Sequence, residues 1–405
     1  MERIPIDKLV PYINNSRTHS PEQLKKLQSS LREFGFVNPI LIDSKFNIIA
    51  GHGRVLAAKA EGMTDVPGVF VDHLTDAQKK AYIIADNRLA EDAGWDNELL
   101  KLEIENLKEL EFDISELGFE VDEIDKLLNS GVDVTEDNFD EPLPEAPITK
   151  QGDVWLLGRH RLICGDSTKA ETYSKLMDGK KANLVVTDPP YNVAYEGTAG
   201  TIQNDNMDDK KFYEFLLSAY KGMYENLADG GSIYVFHADR ETVNFRMAFK
   251  DAGFFCHQTC IWVKNSPVLG RCDYQYNHEP VLVGWKPTAG HKFYGDRKQR
   301  TTWNFDRPTK SKYHPTMKPI SLVAYPITNS SLTNSIVLDP FGGSGSTLIA
   351  CEQTDRICYT IELDEKYADV IVKRFIEQVG NADSVFLLRD GVKMRYDEIE
   401  KDLNC

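Results

Sequence analysis

Ser335-Ile336-Val337-Leu338-Asp339-Pro340-Phe341-Gly342-Gly343-Ser344-Gly345-Ser346-Thr347 is the stretch that decides the fold class. Its first five residues read as a buried strand, an apolar run closed by an aspartate. A proline and the glycines then turn the chain into a helix beginning near Leu348. Strand, glycine loop and helix in that order form the unit of an α/β fold. The glycines let backbone approach a ligand closely, and the helix amino terminus favours an anionic group. No lysine precedes the Ser346-Thr347 pair, which separates the loop from a triphosphate-binding P-loop, and the glycine spacing differs from the dinucleotide pattern. The next strand, Arg356 to Ile361, ends in Glu362, twenty residues beyond Gly342, where an acidic side chain can accept hydrogen bonds from ribose hydroxyls. Asp339, Phe341, Gly342, Gly343, Ser344, Gly345, Thr347 and Glu362 are therefore candidate cofactor residues. The alternative is a structural turn beside a solvated glutamate.

Upstream, Leu184-Val185-Val186 reads as a second strand whose carboxyl end carries Asp188-Pro189-Pro190-Tyr191. This tetrapeptide has the chemistry to hold an amino group of a nucleobase. The exocyclic nitrogen of adenine or cytosine is a poor nucleophile because its lone pair is delocalised into the ring. Two fixed acceptors can draw that pair out of conjugation: the Asp188 carboxylate and the Pro189 carbonyl each take one N–H. Pro189 and Pro190 stiffen the backbone and add no competing donor. Tyr191 offers a flat face for stacking, worth about 1–3 kcal/mol per base. The plainer alternative is a surface turn, since Asp-Pro and Pro-Pro commonly punctuate loops.

In this order the motifs resemble those of the β class of S-adenosylmethionine-dependent DNA amino-methyltransferases, over about residues 151–380. There the catalytic tetrapeptide precedes a target-recognition segment and the cofactor loop comes last. His314-Pro315-Thr316-Met317-Lys318-Pro319 matches the segment before that loop, and the resemblance makes Lys318 the partner of the cofactor's carboxylate. Gly165-Asp166, at the end of Leu162-Ile163-Cys164, matches a cofactor-adenine contact. Leu227 to Val235 resembles a helix-to-strand turn of these sheets. The resemblance implies S-adenosylmethionine as cofactor and double-stranded DNA as partner. Asp-Pro-Pro-Tyr goes mostly with adenine N6 in this family, and cytosine N4 is the alternative.

A formal charge of −16 over 405 residues is unexpected for a DNA enzyme until it is divided along the chain. Residues 1–90 carry 12 basic and 10 acidic side chains, and 146–405 carry 32 and 33; the intervening 91–145 hold 3 against 20. The acidity is therefore local, and the overall charge says little about partners. Residues 286–312 reverse the sign, with eight basic side chains against Asp296 and Asp306 and with Phe293, Tyr294, Trp303 and Phe305 interleaved. That composition suits a phosphate backbone and an unstacked base. Lys292, Arg297, Lys298 and Arg300 are the candidate DNA contacts, against the alternative of a solvated loop.

The first ninety residues form a separate object. Pro39 to Asp43, a turn at Ser44-Lys45 and Phe46 to Ala50 read as a hairpin, followed by Gly51-His52-Gly53-Arg54 and a helix from Val55 to Glu61. With Ile4 to Leu9 and a helix from Leu24 to Phe36, this resembles the ParB amino-terminal fold over about residues 2–90. That resemblance makes Gly51 and Arg54 candidate contacts to a nucleotide such as CTP. His52-Gly53 replaces the family's usual Glu-Arg pair, and a purely structural turn is the alternative. Related sulfiredoxins use a cysteine in this turn, but the first cysteine here is Cys164.

The expected architecture is thus α/β, a doubly wound Rossmann-like methyltransferase sheet preceded by a small α+β ParB-like domain. Residues 1–130 form the ParB-like domain with an acidic helical extension, 131–150 a linker rich in proline, 151–380 the methyltransferase domain with target recognition at about 264–313, and 381–405 a tail. No apolar run approaches the roughly 18 residues that span a bilayer, and the amino terminus lacks an apolar signal. A cytoplasmic protein without a membrane partner is expected, with its seven cysteines reduced. Cys256, His257 and Cys260 lack a second matching pair, so no metal is expected. A ParB-like nucleotide or DNA-binding protein with a non-catalytic methyltransferase domain, and a methyltransferase acting on RNA or protein, are the rival functions. Oligomeric state, with a homodimer as one option, the recognition sequence and a restriction partner are not legible.

Overall fold

The computed structural model describes residues 2–12, 17, 19–89, 94–129, 134–137, 139–193, 196–197, 200–201, 206–268, 273–296, 298–307 and 317–403. The chain divides into two compact units, Met1–Gly131 and Val132–Cys405. Among the described residues no helix is long and apolar enough to cross a membrane.

The first unit runs β1 (Glu2–Pro5), α1 (Pro21–Phe34), β2 (Ile40–Ile42), β3 (Ile48–Ala50), α2 (His52–Ala60), β4 (Asp65–Phe70), α3 (Asp76–Leu89), α4 (Asn97–Glu109) and α5 (Val121–Asn129). Its sheet has the order β1-β4-β2-β3, with β2 and β3 as the expected hairpin. Ile4, Ile40, Ile42, Ile48, Val55 and Val66 close the core beneath it. Ser20 caps α1 by accepting the Gln23 N–H at 3.1 Å, and Pro21 occupies the first turn, where its missing donor costs nothing. Gly51 opens α2 at φ 98°; a Cβ there would lie 2.9 Å from Ile40 Cγ2, so backbone conformation and packing both require glycine.

The second unit runs β5 (Val154–Leu157), β6 (His160–Cys164), α6 (Ala170–Met177), β7 (Ala182–Thr187), β8 (Glu196–Gly197), β9 (Gly200–Thr201), α7 (Asp209–Asn226), β10 (Leu227–Phe236) and α8 (Thr242–Asp251). It continues with β11 (Phe255–Val268), β12 (Tyr276–Trp285), β13 (Thr302–Asn304), α9 (Ile320–Ser330), β14 (Ile336–Asp339), α10 (Ser346–Gln353), β15 (Ile357–Glu362), α11 (Glu365–Val379), β16 (Val385–Arg389), β17 (Val392–Arg395) and α12 (Tyr396–Leu403). The main sheet has the order β13-β11-β12-β10-β7-β14-β15-β6-β5-β16-β17. Its centre, β10-β7-β14-β15-β6, is parallel throughout. Alternation along the buried strands feeds two faces. Leu184, Val186 and Val337 join α9, α10 and α11 in one core, while Val185, Ile233 and Leu338 join α6, α7 and α8 in the other. After β7 the chain moves outward to β10, whereas β14 leads toward β15 and β6. The strand order therefore reverses between β7 and β14, the place where α/β sheets open a crevice at their carboxyl ends.

Two segments differ from the sequence-based expectation. The stretch expected as a linker packs onto the second unit as a strap. Glu136 accepts the Ile320 and Ser321 N–H groups at 2.8 and 2.9 Å and so caps α9, whose own N-cap, Pro319, offers no side-chain acceptor. Asp137 pairs with Arg374, Phe139 is buried, and Thr149 donates to Asp369. Caps and ion pairs leave no apolar periodicity, which is why this stretch reads as unstructured in the sequence. In the tail the short strand expected from Ser384 to Leu388 is present as β16, paired antiparallel with β5, and what differs is the charged end, which returns as β17 along β16.

Candidate active site

Asp188 leaves the carboxyl end of β7, and Asp339 ends its neighbour β14, so the reversal of strand order sets the two acids side by side. The Thr187 hydroxyl donates to Asp339 Oδ1 at 2.7 Å, tying the strand ends together. Pro189 is buried, and Tyr191 turns back so that its hydroxyl lies 2.5 Å from Asp188 Oδ1. The next residue, Asn192, adopts a left-handed φ of 55°. Its amide clasps Met207, donating to the carbonyl at 3.1 Å and accepting the N–H at 2.6 Å. Arg240 donates to the Asn192 carbonyl at 2.6 Å, so the turn after the tetrapeptide is held from two directions.

Lys318 enters this cluster. Its ammonium donates to Asp188 Oδ2 at 2.6 Å and to the Tyr191 hydroxyl at 3.1 Å, and lies 3.4 Å from Glu279 Oε2. Three protons thus face three protein oxygens, and the side chain is only 8% exposed. The partners of Lys318 among the described residues are the acids and the tyrosine of the tetrapeptide site; His314, Pro315 and Thr316 of the same motif lie outside the described residues. Glu279 on β12 and Lys264 on β11, which the sequence did not single out, complete the group through a 2.5 Å contact. A glutamate and a lysine interrupting otherwise strand-like runs were the only signal for them. Burial pushes the Asp188 carboxyl upward, with Lys318 opposing it. For Glu279 burial acts in the same upward direction, but Lys318 and Lys264 together outweigh it and hold the group below its usual range. Burial would lower Lys318, yet Asp188 and Glu279 leave it raised.

The glycine loop is folded onto the adjoining strand. Gly342 N–H donates to the Ile361 carbonyl at 2.8 Å and Gly343 N–H to Glu362 Oε2 at 2.7 Å. A Cβ at Gly342 would meet Thr360 Oγ1 at 2.6 Å, so the loop reaches β15 only without a side chain there. Gly345, at φ 89°, caps α10. Asp339 accepts the Phe341 N–H at 3.1 Å, and Thr347 also hydrogen-bonds to its carboxylate. Ser344 is fixed by Arg374, which donates to its carbonyl at 2.9 Å, and the Ser346 hydroxyl donates to the Lys318 carbonyl. Glu362 uses one acceptor site on each oxygen, for Gly343 and Asp364, and retains capacity for two hydroxyl donors. Burial pushes both Glu362 and Asp339 up to about 7, against the hydrogen bonds that favour their charged forms. Asp166 follows β6, one strand beyond β15, and accepts from the Thr168 N–H and hydroxyl at 2.8 and 2.7 Å. An open cradle at Gly343, where an added Cβ would meet nothing within 4 Å, beside an underused carboxylate fits the ribose of a nucleoside cofactor.

The basic segment divides. Lys292, Lys298 and Arg300 are exposed and free to approach phosphate, while Arg297 lies outside the described residues. Lys286 donates to the Leu227 carbonyl and neighbours Asp229, so it serves the fold. Trp303 is buried, and both it and Phe305 pack on Tyr325, with ring centroids 5.2 and 5.6 Å away. Of the interleaved aromatics, Phe293 is exposed, whereas Trp303 and Phe305 are not free to stack on a base. In the first unit, Gly51 provides the left-handed turn, and Arg54 donates to the Asn38 and Pro39 carbonyls at 2.5 and 3.2 Å. Burial lowers the Arg54 pKa.

Three family models match the chain: ParB N-terminal domain over residues 1–88, ParB-methyltransferase HTH domain over 98–151, and N6_N4 DNA methylase over 182–373. The HTH match covers α4 and α5, the segment expected only as an acidic helical extension with a linker. The chain is 51% identical over 76 residues to the ParB-like nuclease domain-containing protein YnaK of Escherichia coli K12, 19% of this chain and 87% of that protein. It is 30% identical over 209 residues to the putative methylase YubD of the same organism, 51% of this chain and 86% of that protein. Among solved structures, the M1.HpyAVI–SAM complex is similar at 26% identity with a TM-score of 0.42, over 53% of this chain and 98% of that one.

Proposed function

Since the chain belongs to the N6/N4 DNA methylase family and carries a ParB-type amino-terminal domain, we propose that it methylates N6 of an adenine turned out of double-stranded DNA within a specific sequence. The methyl donor is S-adenosylmethionine, whose sulfonium supplies an electrophilic methyl group when bound. Glu362 and the Gly342–Gly343 turn are suited to its ribose, and Asp166 to its adenine. The observation that carries the reading is the Asp188 carboxylate at the strand end beside that loop. Asp188 and the Pro189 carbonyl each accept a hydrogen bond from one N–H of the target amine, so that the nitrogen lone pair turns from the ring toward the methyl group. Tyr191 stacks on the base. The enzyme contributes position and fixed dipoles, and no cysteine is needed as a nucleophile. Once the nitrogen is alkylated it sheds a proton, and burial of Asp188 makes that carboxylate a fitting acceptor. Lys292, Lys298 and Arg300 serve the phosphate backbone, and that contribution should weaken with salt.

Expression in a host without DNA methylation, followed by sequencing that reads modified bases, tests this. N6-methyladenine at one recurring sequence is expected. N4-methylcytosine there would reassign the base, and an unmodified genome from well-folded protein would overturn the reading.

A second expectation concerns pH. In the folded protein Glu362 and Asp339 hold their protons up to about 7, whereas unfolded carboxyls lose theirs near about 4. In that window the folded state binds more protons, so the contribution of these two groups to stability falls as pH rises. Hydroxyl donors favour ionised Glu362, so cofactor affinity moves the other way. The thermal shift produced by S-adenosylmethionine should be larger at about pH 8 than at about pH 6. Equal shifts at both would remove Glu362 from the ribose.

A further inference from the structure

Tyr191 has a single hydroxyl proton and stands between two carboxylates, 2.5 Å from Asp188 Oδ1 and 3.1 Å from Glu279 Oε2. It can donate to only one at a time, and the shorter contact gives the proton to Asp188. Lys318 reaches both acids and the tyrosine oxygen, lying closer to Asp188 Oδ2, at 2.6 Å, than to Glu279 Oε2, at 3.4 Å. Lys264, only 9% exposed and with its ammonium 4.9 Å from the Trp262 ring centroid, anchors Glu279 through its other oxygen, Oε1, at 2.5 Å. Two acids and two lysines thus balance around one hydroxyl. In this arrangement Asp188 Oδ1 already accepts from Tyr191 and Oδ2 from Lys318, so an incoming target amine must either share Oδ1 with the tyrosine hydroxyl or displace it.

Resting on the proposed function, we propose that Glu279 is a positioning residue that receives the Tyr191 hydroxyl when Asp188 exchanges it for the amine of the target base. The exchange breaks one O–H···O contact and forms another 3.1 Å away, and Lys318 spans both acids throughout. The two lysines keep Glu279 charged and ready to accept. β12 holds it in place, with Glu279 directly opposite Trp262 of β11. Tyr191 thereby closes the site without a base and stacks within it once a base arrives.

The test is a cycle of single-turnover methylation rates for the wild type, Glu279→Leu, Tyr191→Phe and the double variant, with cofactor binding and thermal melting as controls. Glu279→Leu removes the receiving acceptor and should slow transfer by about a hundredfold, with cofactor affinity retained. In the Tyr191→Phe background there is no hydroxyl to rehouse, so the same substitution should cost little. Glu279→Gln keeps a carbonyl acceptor and should fall between wild type and Glu279→Leu. Should Glu279→Leu fold poorly, Glu279→Gln in the two backgrounds reads the same non-additivity. A wild-type rate in the Glu279 variants, or an equal loss in both backgrounds, would overturn the assignment while wild-type methylation still upholds the proposed function. A wild type that methylates no DNA would instead sink the function itself.

Discussion

Asp188→Ala should lower methyl transfer by at least about a hundred- to a thousandfold and leave S-adenosylmethionine affinity close to wild type. The side chain contacts Lys318 and Tyr191, whereas the glycine loop is held by Ile361, Glu362 and Arg374. Truncation therefore removes the acceptor for the target amine without touching the loop. Lys318 keeps Glu279 at 3.4 Å, so its charge is not stranded, and the folded state should survive. Asp188→Asn should retain part of the rate, because an amide carbonyl still accepts one proton but carries no charge. Methyl incorporation and calorimetric cofactor titration on the same preparation decide the matter. Near-normal turnover in Asp188→Ala would remove this residue from its role, and parallel loss of cofactor binding would place it in the wrong half of the site.

Asp137→Ala should destabilise the second unit by about 3–5 kcal/mol, the range for breaking a buried ion pair from one side. The Arg374 side chain is 1% exposed and holds Asp137 through two contacts, at 2.6 and 2.9 Å. Phe139 covers the guanidinium, with its ring centroid 5.7 Å away. Without Asp137 the hydrogen-bond acceptors left to that charge among the described residues are neutral, the Ser344 carbonyl among them, with Glu377 as a further negative charge nearby. The effect should extend to function, since the same guanidinium fixes the glycine loop, and cofactor affinity should fall with stability. Asp137→Asn, which keeps a hydrogen-bond acceptor, should cost less. Denaturant titration of the full chain is the measurement, and an unchanged midpoint would mean that the strap is dispensable.

The sequence carried the framework of the site because each part is local. An apolar run ending in aspartate, followed by proline or glycine, marks both β7 and β14, and the acid at the end of β15 lies at a fixed remove from the loop. The partners of those acids were not legible. Lys318 meets Asp188 across 130 positions, and Glu279 reaches Tyr191 across 88, the latter only once β12 pairs with β10 and β10 with β7. The resemblance assigned Lys318 to the cofactor, but without a folded sheet nothing in the sequence opposes a lysine before the loop to an acid in the tetrapeptide. The strap failed to register for a related reason. Glu136 and Asp137 look like part of an acidic run until Arg374 and the uncapped start of α9 are brought beneath them. The basic segment misled in the opposite sense, since composition cannot tell the exposed Phe293 from the buried Trp303.

The carboxyl-terminal strands bear on how this protein can be trimmed. Truncation after Gly380 would strip β16 and β17 from the sheet and leave Val154-Trp155-Leu156-Leu157 as its border. The native border, Val392-Lys393-Met394-Arg395, is short and carries two cations, features that discourage edge-to-edge growth between molecules. An uncharged, apolar border in its place is a template for intermolecular strand addition. The hairpin of β16 and β17 thus replaces an apolar strand edge with a short, positively charged one.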